Sequence, residues 1–278
     1  MGRADRRPPG RGRDQDAGVS PVLTGKVVVV SGVGPGLGQA IALQCAKAGA
    51  DVVLAARTES RLAEVAEQVT ALGRRALAVR TDITDDESAR RLAETATETF
   101  GRVDTLVHNA FAIPPLADLG GTELADIRRA HETNVLAALR LTQLCTPALT
   151  ESGGSVVMIN SAVLRHSRRS FGAYKMSKAG LLALAQSLAS ELGPQGVRVN
   201  SVAPGYIWAD SLKWYFGYLA EQRGISADEV YRETAETLDL RKLPEPAEIA
   251  DAVVFLASPM ARAITGQCLD VNGGEFHH

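Results

Sequence analysis

The sequence predicts a doubly wound α/β fold: one parallel sheet of about seven strands with helices on both faces. Short β-branched runs recur along the chain. Between them lie segments with apolar residues three and four apart, such as Leu37, Ile41 and Cys45, or Leu181, Ala185, Leu188 and Leu192. Runs that are apolar throughout, rather than alternating, are strands covered on both sides, and parallel strands need a helical crossover to return. Length agrees: 278 residues, 45% hydrophobic and 22% charged, suit a single α/β domain of ordinary globular composition.

Taken in order, strand 26–31 is built on Val27-Val28-Val29-Val30 and runs into the glycine-rich turn 32–38, from which a helix departs. Strand 51–56 ends at Ala56-Arg57, and strand 75–80 leads into Thr81-Asp82-Ile83. Strand 104–108 leads into Asn109-Ala110, and a long helical stretch around 122–149 carries Asn134. Strand 155–160 stops at Ser161, and the helix around 171–192 carries Tyr174 and Lys178. Strand 197–201 leads out through Pro204-Gly205, and 268–271 is the last strand. Residues 1–20, with five Arg, three Asp, four Gly, two Pro and no aromatic ring, are expected to be a disordered leader. Residues 21–278 form the domain.

Several function classes are excluded at this stage. Thirty basic against 32 acidic side chains leave a net charge of −2, which argues against a general nucleic-acid binder. Cys45, Cys145 and Cys268 form no Cys-x-x-Cys pair, and no His-x-x-x-His spacing occurs, so neither a disulfide scaffold nor a metal site is expected. No apolar run is long enough to span a membrane, and no secretory core is found at the N-terminus. The expected location is the cytoplasm. Ser161 lies outside any Gly-x-Ser-x-Gly elbow, which disfavours a hydrolase.

The turn after the first strand reads Ser31-Gly32-Val33-Gly34-Pro35-Gly36-Leu37-Gly38. Glycines let the backbone turn sharply, and free amides at a helix start attract a pyrophosphate. The spacing is Gly32-x-x-x-Gly36-x-Gly38. Together with Asp82, Asn109-Ala110, Asn134, Ser161, the Tyr174-x-x-x-Lys178 pair and Pro204-Gly205, all in order, it resembles the short-chain dehydrogenase/reductase family, in the manner of its 3-oxoacyl-carrier-protein reductases. The resemblance covers about residues 24–274 and implies a Rossmann sheet.

By this resemblance the dinucleotide site comprises Gly32, Gly34, Pro35, Gly36, Leu37, Gly38, Arg57, Asp82, Ile83, Asn109, Ala110, Tyr174, Lys178, Pro204, Gly205 and Ile207. An acidic residue ending the second strand would select NAD; here Ala56 and Arg57 stand there, so NADP(H) is favoured, with NAD(H) the alternative. Arg57 reads otherwise as a solvated helix-start arginine. Asn134, Ser161, Tyr174 and Lys178 are the implied catalytic set. Tyr174 and Lys178, four apart on one helix face, suggest an ammonium that lowers the phenol's pKa for proton transfer.

Phe111 replaces the glycine that usually follows Asn-Ala, and Ala209 stands where a threonine is frequent. Phe111, His166, Trp208 and Trp214 are the candidate substrate contacts, although His166 reads equally as a solvent-facing loop residue. Of thirteen aromatic residues (6 Phe, 5 Tyr and 2 Trp), seven fall between Tyr206 and Tyr231. Residues 206–242 are therefore a candidate lid over a bulky apolar carbonyl or alcohol, unless these rings pack on the body or between subunits. The resemblance also implies a homotetramer or homodimer. A binding-only nucleotide protein is the reading from another class.

Overall fold

The computed structural model describes residues 21–277, so the expected leader 1–20 lies outside the described residues. Seven parallel strands form one sheet: β1 (Val27–Ser31), β2 (Asp51–Ala56), β3 (Ala76–Arg80), β4 (Thr105–His108), β5 (Ser155–Ile159), β6 (Arg198–Pro204) and β7 (Cys268–Val271). Their order is β3-β2-β1-β4-β5-β6-β7. The sequence therefore located every strand. In β1 the valine run divides by pleat: Val28 and Val30 enter one core layer, Val27 and Val29 the other.

Helices α1 (Leu37–Lys47), α2 (Glu59–Ala71) and α9 (Pro246–Ala257) cover the first layer, where Ile41, Leu62, Val65 and Val253 are fully enclosed. Helices α3 (Asp86–Phe100), α5 (Ala137–Ser152) and α6 (Gly172–Leu192) cover the second through Leu92, Leu141 and Leu181. Strand order reverses between β1 and β4, which pair in register from Val28↔Thr105 to Ser31↔His108. Chains leaving their carboxyl ends diverge there and open a crevice.

One expectation is corrected. The stretch 122–149 is not one continuous α-helix: α4 (Leu124–His131) passes through a π-helical turn, Glu132–Leu136, before α5. Asn134 sits in that wider turn, a feature that often accompanies function.

Helices α7 (Asp210–Arg223) and α8 (Ala227–Ala235) make up most of the 206–242 segment. They enclose a small core of their own, with Phe216, Ala220, Val230 and Leu243 buried and Trp208 and Tyr231 packed against it. Trp208 meets Tyr231 at 4.7 Å and Phe216 at 5.5 Å between ring centroids. Ser226 and Glu229 close a capping box at the start of α8. No helix among the described residues is long and apolar enough to cross a membrane.

His108 ends β4 inside the second layer. The Thr142 hydroxyl donates to the Ala138 carbonyl at 2.8 Å, which leaves its oxygen to accept from His108 Nε2 at 2.9 Å. Nε2 thus carries a proton, and burial pushes the ring's pKa down to about 3, which keeps it neutral. Below pH ~6.5 the unfolded chain takes up a proton that the folded chain refuses, so stability falls with acidification. By pH 5 this single site costs about 2 kcal/mol. His108→Gln, which keeps the donor and removes the titration, is expected to flatten the fall of Tm between pH 7 and 5. Parallel Tm curves for the two proteins would overturn that assignment.

Candidate active site

The crevice at the strand-order reversal is a cleft of about 740 Å³. One end is built by close backbone approach. A Cβ on Gly38 would lie 2.2 Å from the Gly32 carbonyl oxygen, and one on Gly32 would lie 2.3 Å from the Ala110 amide nitrogen. Neither position tolerates a side chain. Asn109 Nδ2 donates to the Gly32 carbonyl at 2.7 Å and ties the end of β4 to this turn. No side chain caps α1, and no acidic residue occupies its first turn. A bare cradle at a helix start fits a phosphate group, so the residues present fit a dinucleotide.

The cleft wall continues through Ala55, Ala56, Arg57, Thr58 and Arg61, with Asp82 and Ile83 opposite. Hydrogen bonds from the Thr84 hydroxyl (2.7 Å) and amide (3.0 Å) hold the Asp82 carboxyl below its usual range. The cleft also brings together Asn109, Ala110, Phe111, Pro204, Gly205 and Ile207 with Ser161, Tyr174 and Lys178. Every residue expected at the dinucleotide site lines this one cavity. Sequence reasoning missed Arg61, although its place four residues after Arg57, on the first turn of α2, was a usable signal.

Tyr174 and Lys178 lie in α6, and Ser161 starts the short 3₁₀ turn Ala162–Arg165. Tyr174 and Ser161 share a side-chain hydrogen bond. Lys178, 3% exposed, donates to the Ile159 carbonyl at 2.7 Å, and its Nζ stands 5.8 Å from the Tyr174 ring centroid. A second correction follows. Burial pushes Tyr174 up to about 12, opposed by the bond to Ser161, and burial pushes Lys178 down to about 7. Removal from water sets the direction for both groups, and the bond to Ser161 is what opposes it at Tyr174.

Asn134 does not line the cleft. Its Oδ1 accepts from the Ala112 amide at 2.7 Å, and its Nδ2 donates to the Ala112 carbonyl and to Ser177 Oγ, both at 2.9 Å. Ser177 in turn donates to the Tyr174 carbonyl at 2.9 Å. The side chain therefore fastens the loop after β4 to the helix that carries the tyrosine.

Among the expected substrate contacts, Phe111 lines the cleft, is 54% exposed, and lies 5.7 Å from Lys178 Nζ. Ala209 lines it too. His166, Trp208 and Trp214 are not in the wall. His166 packs between Phe171 and Phe276, Trp208 sits in the lid core, and Trp214 stacks on Tyr218 at the exposed face of α7.

A family model described as enoyl-(acyl carrier protein) reductase matches residues 32–275. The 7alpha-hydroxysteroid dehydrogenase of Escherichia coli (strain K12) is 35% identical over 254 residues, which are 91% of this chain and 94% of that protein. A solved structure of 7 alpha-hydroxysteroid dehydrogenase complexed with NADH and 7-oxo glycochenodeoxycholic acid superposes with a TM-score of 0.81 at 34% identity, covering 91% of this chain and 94% of that one. L-Sorbose reductase from Gluconobacter frateurii, complexed with NADPH and L-sorbose, gives a TM-score of 0.87 at 28% identity, covering 92% and 98%. Fold, cleft and likenesses define an NAD(P)-dependent oxidoreductase acting on CH–OH and C=O groups. The chain belongs to the short-chain dehydrogenase/reductase family.

Gly38→Ala should leave the circular dichroism of the fold intact and weaken dinucleotide binding by at least ~10-fold, or ~1.4 kcal/mol, in a fluorescence titration. Wild-type affinity in a folded variant would refute the cradle.

Proposed function

We propose that this chain is an NADP(H)-dependent carbonyl reductase and secondary-alcohol dehydrogenase for bulky apolar substrates. One observation carries the reading: a single cleft presents Ser161, Tyr174 and Lys178 at one end and Arg57 and Arg61 at the other. The two guanidinium groups, with Ala56 in place of an acidic residue, suit a 2′-phosphate. NAD(H) is the second reading, favoured by the NADH-bound structural relative.

A bound nicotinamide supplies or accepts the hydride. The protein's part is to hold the substrate oxygen and move its proton. Ser161 donates to that oxygen and steadies the charge that gathers there. Tyr174, kept protonated by burial up to about 12, is the donor that delivers a proton to the alkoxide during reduction. Lys178, anchored on Ile159 and titrating near 7, places positive charge beside the forming phenolate at and below neutrality. Asn134 serves as a positioning residue through Ala112 and Ser177.

Phe111, Ile113 and Leu116 are exposed large apolar groups on the loop after β4, and Trp214 and Tyr218 are exposed on α7. Such side chains suit a large apolar or ring-containing ketone. His166, Trp208 and Trp214 stay in this reading as contacts of a substrate that extends beyond the cleft wall. Cytoplasmic location and assembly into a homotetramer or homodimer belong to the same reading.

Tyr174→Phe should remove more than ~99% of turnover, or ~3 kcal/mol of barrier, and spare dinucleotide binding. Arg57→Asp should raise KM for NADPH and shift preference toward NADH; an unchanged ratio would sink the NADP(H) assignment. Reduction should slow as pH rises through about 7, when Lys178 loses its charge, whereas oxidation should speed up toward pH 12 as Tyr174 ionises. The reverse trends would contradict the roles given. A carbonyl panel followed at the NADPH absorbance band should favour bulky over short ketones, and a strict preference for small polar carbonyls would defeat the substrate class.

A further inference from the structure

After β7 the chain folds into a hook. Asn272 is buried; its Oδ1 accepts from the Gly274 amide at 2.9 Å, and its Nδ2 donates to the Phe276 carbonyl at 3.0 Å. One side of the hook presses on the segment that ends the lid. A Cβ on Gly274 would lie 2.6 Å from Asp239 Cβ, and the Leu240 amide donates to the Gly273 carbonyl at 3.0 Å. The other side presses on the segment where the lid begins. Glu275 Oε2 sits 2.6 Å from the place a Cβ on Gly205 would take, so the carboxylate lies directly against this glycine.

Glu275 is 6% exposed at its side chain and accepts from Arg168 Nη2 at 3.3 Å. Burial pushes its carboxyl pKa up, and Arg168 opposes this. Arg168 Nη1 also donates to the Tyr206 hydroxyl at 3.4 Å, and its guanidinium lies 5.5 Å from the Phe276 ring centroid. Phe276 in turn packs at 5.3 Å against His166, five residues after Ser161. The half-exposed Arg168–Glu275 pair thus ties the loop after Ser161 to the hook, and the hook touches both ends of the 206–242 segment. Arg165, paired with Asp270 at 3.0 Å, anchors the same loop to β7.

We propose that Glu275, gripped by Arg168, is a positioning residue that fixes the 206–242 lid over the substrate end of the cleft without touching the reacting atoms. This rests on the carbonyl-reductase reading, but part of its test does not. Removing the charge of Glu275 releases Arg168 to water and loosens the hook that holds both ends of the segment, a modest effect because the guanidinium is half exposed. A substrate that must be covered then binds less well, while the dinucleotide, whose proposed site meets Glu275 at Gly205 alone and rests mainly on Gly32–Gly38 and α2, keeps its affinity.

The test compares wild type with Glu275→Gln, Arg168→Met and the double variant. In each variant, KM for the carbonyl substrate should rise about fivefold, or ~1 kcal/mol, with kcat within twofold and dinucleotide affinity unchanged. The double variant should be no worse than either single one. Hydrogen exchange should quicken at amides of 206–242 and stay unchanged in β1, β4 and β5. Unaltered KM and exchange, additive losses, or faster exchange throughout the sheet would each overturn the proposal. If the wild-type protein turns over no carbonyl, the function reading fails, and the exchange measurement still decides the role of Glu275.

Discussion

The cleft depends on how closely the β1–α1 turn approaches the end of β4. Gly32 and Ala110 meet backbone to backbone, and Asn109 bonds the Gly32 carbonyl. From that contact the chain continues to Ala112, whose amide and carbonyl are both claimed by Asn134, and on through Ser177 to the Tyr174 carbonyl. The phosphate-type cradle and the proton-transfer end are therefore fastened by one run of hydrogen bonds. Asn109, Asn134 and Ser177 are buried and the others half-buried, so an unmade bond at those three side chains costs most.

The electrostatics of the pair on α6 depend on the same enclosure. Lys178 spends a hydrogen bond on Ile159 rather than on Tyr174, and both groups are held in their neutral forms more strongly than in water. In the proposed reaction, a protonated phenol and a lysine poised near neutrality serve as a proton source with a switchable charge beside it. That arrangement suits reduction at neutral pH better than a permanently ionised tyrosine would.

The central strands were legible because both faces of the sheet are buried there, which makes them apolar runs such as Val27–Val30 or Val156–Ile159. The motif residues were legible because backbone approach and helix spacing leave few residue choices, as at Gly38 or in the Tyr174–Lys178 pair. Other features were hidden by long-range causes. The π-helical turn at Asn134 accompanies that side chain's bonds to a loop 22 residues earlier, and no local periodicity shows this. The raised phenol of Tyr174 comes from burial, which charge spacing along one helix does not reveal. Arg168, two residues after His166, pairs with a carboxylate 107 residues away.

The lid's private core has a consequence for how such a protein changes over time. Phe216, Val230 and Leu243 pack with Trp208 and Tyr231 in a cluster separate from the two layers that sandwich the sheet. Residues 206–242 thus behave as a cassette. If that segment covers the substrate, as proposed, its rings can be replaced without disturbing the register of β1 to β7, because their packing does not run through the sheet.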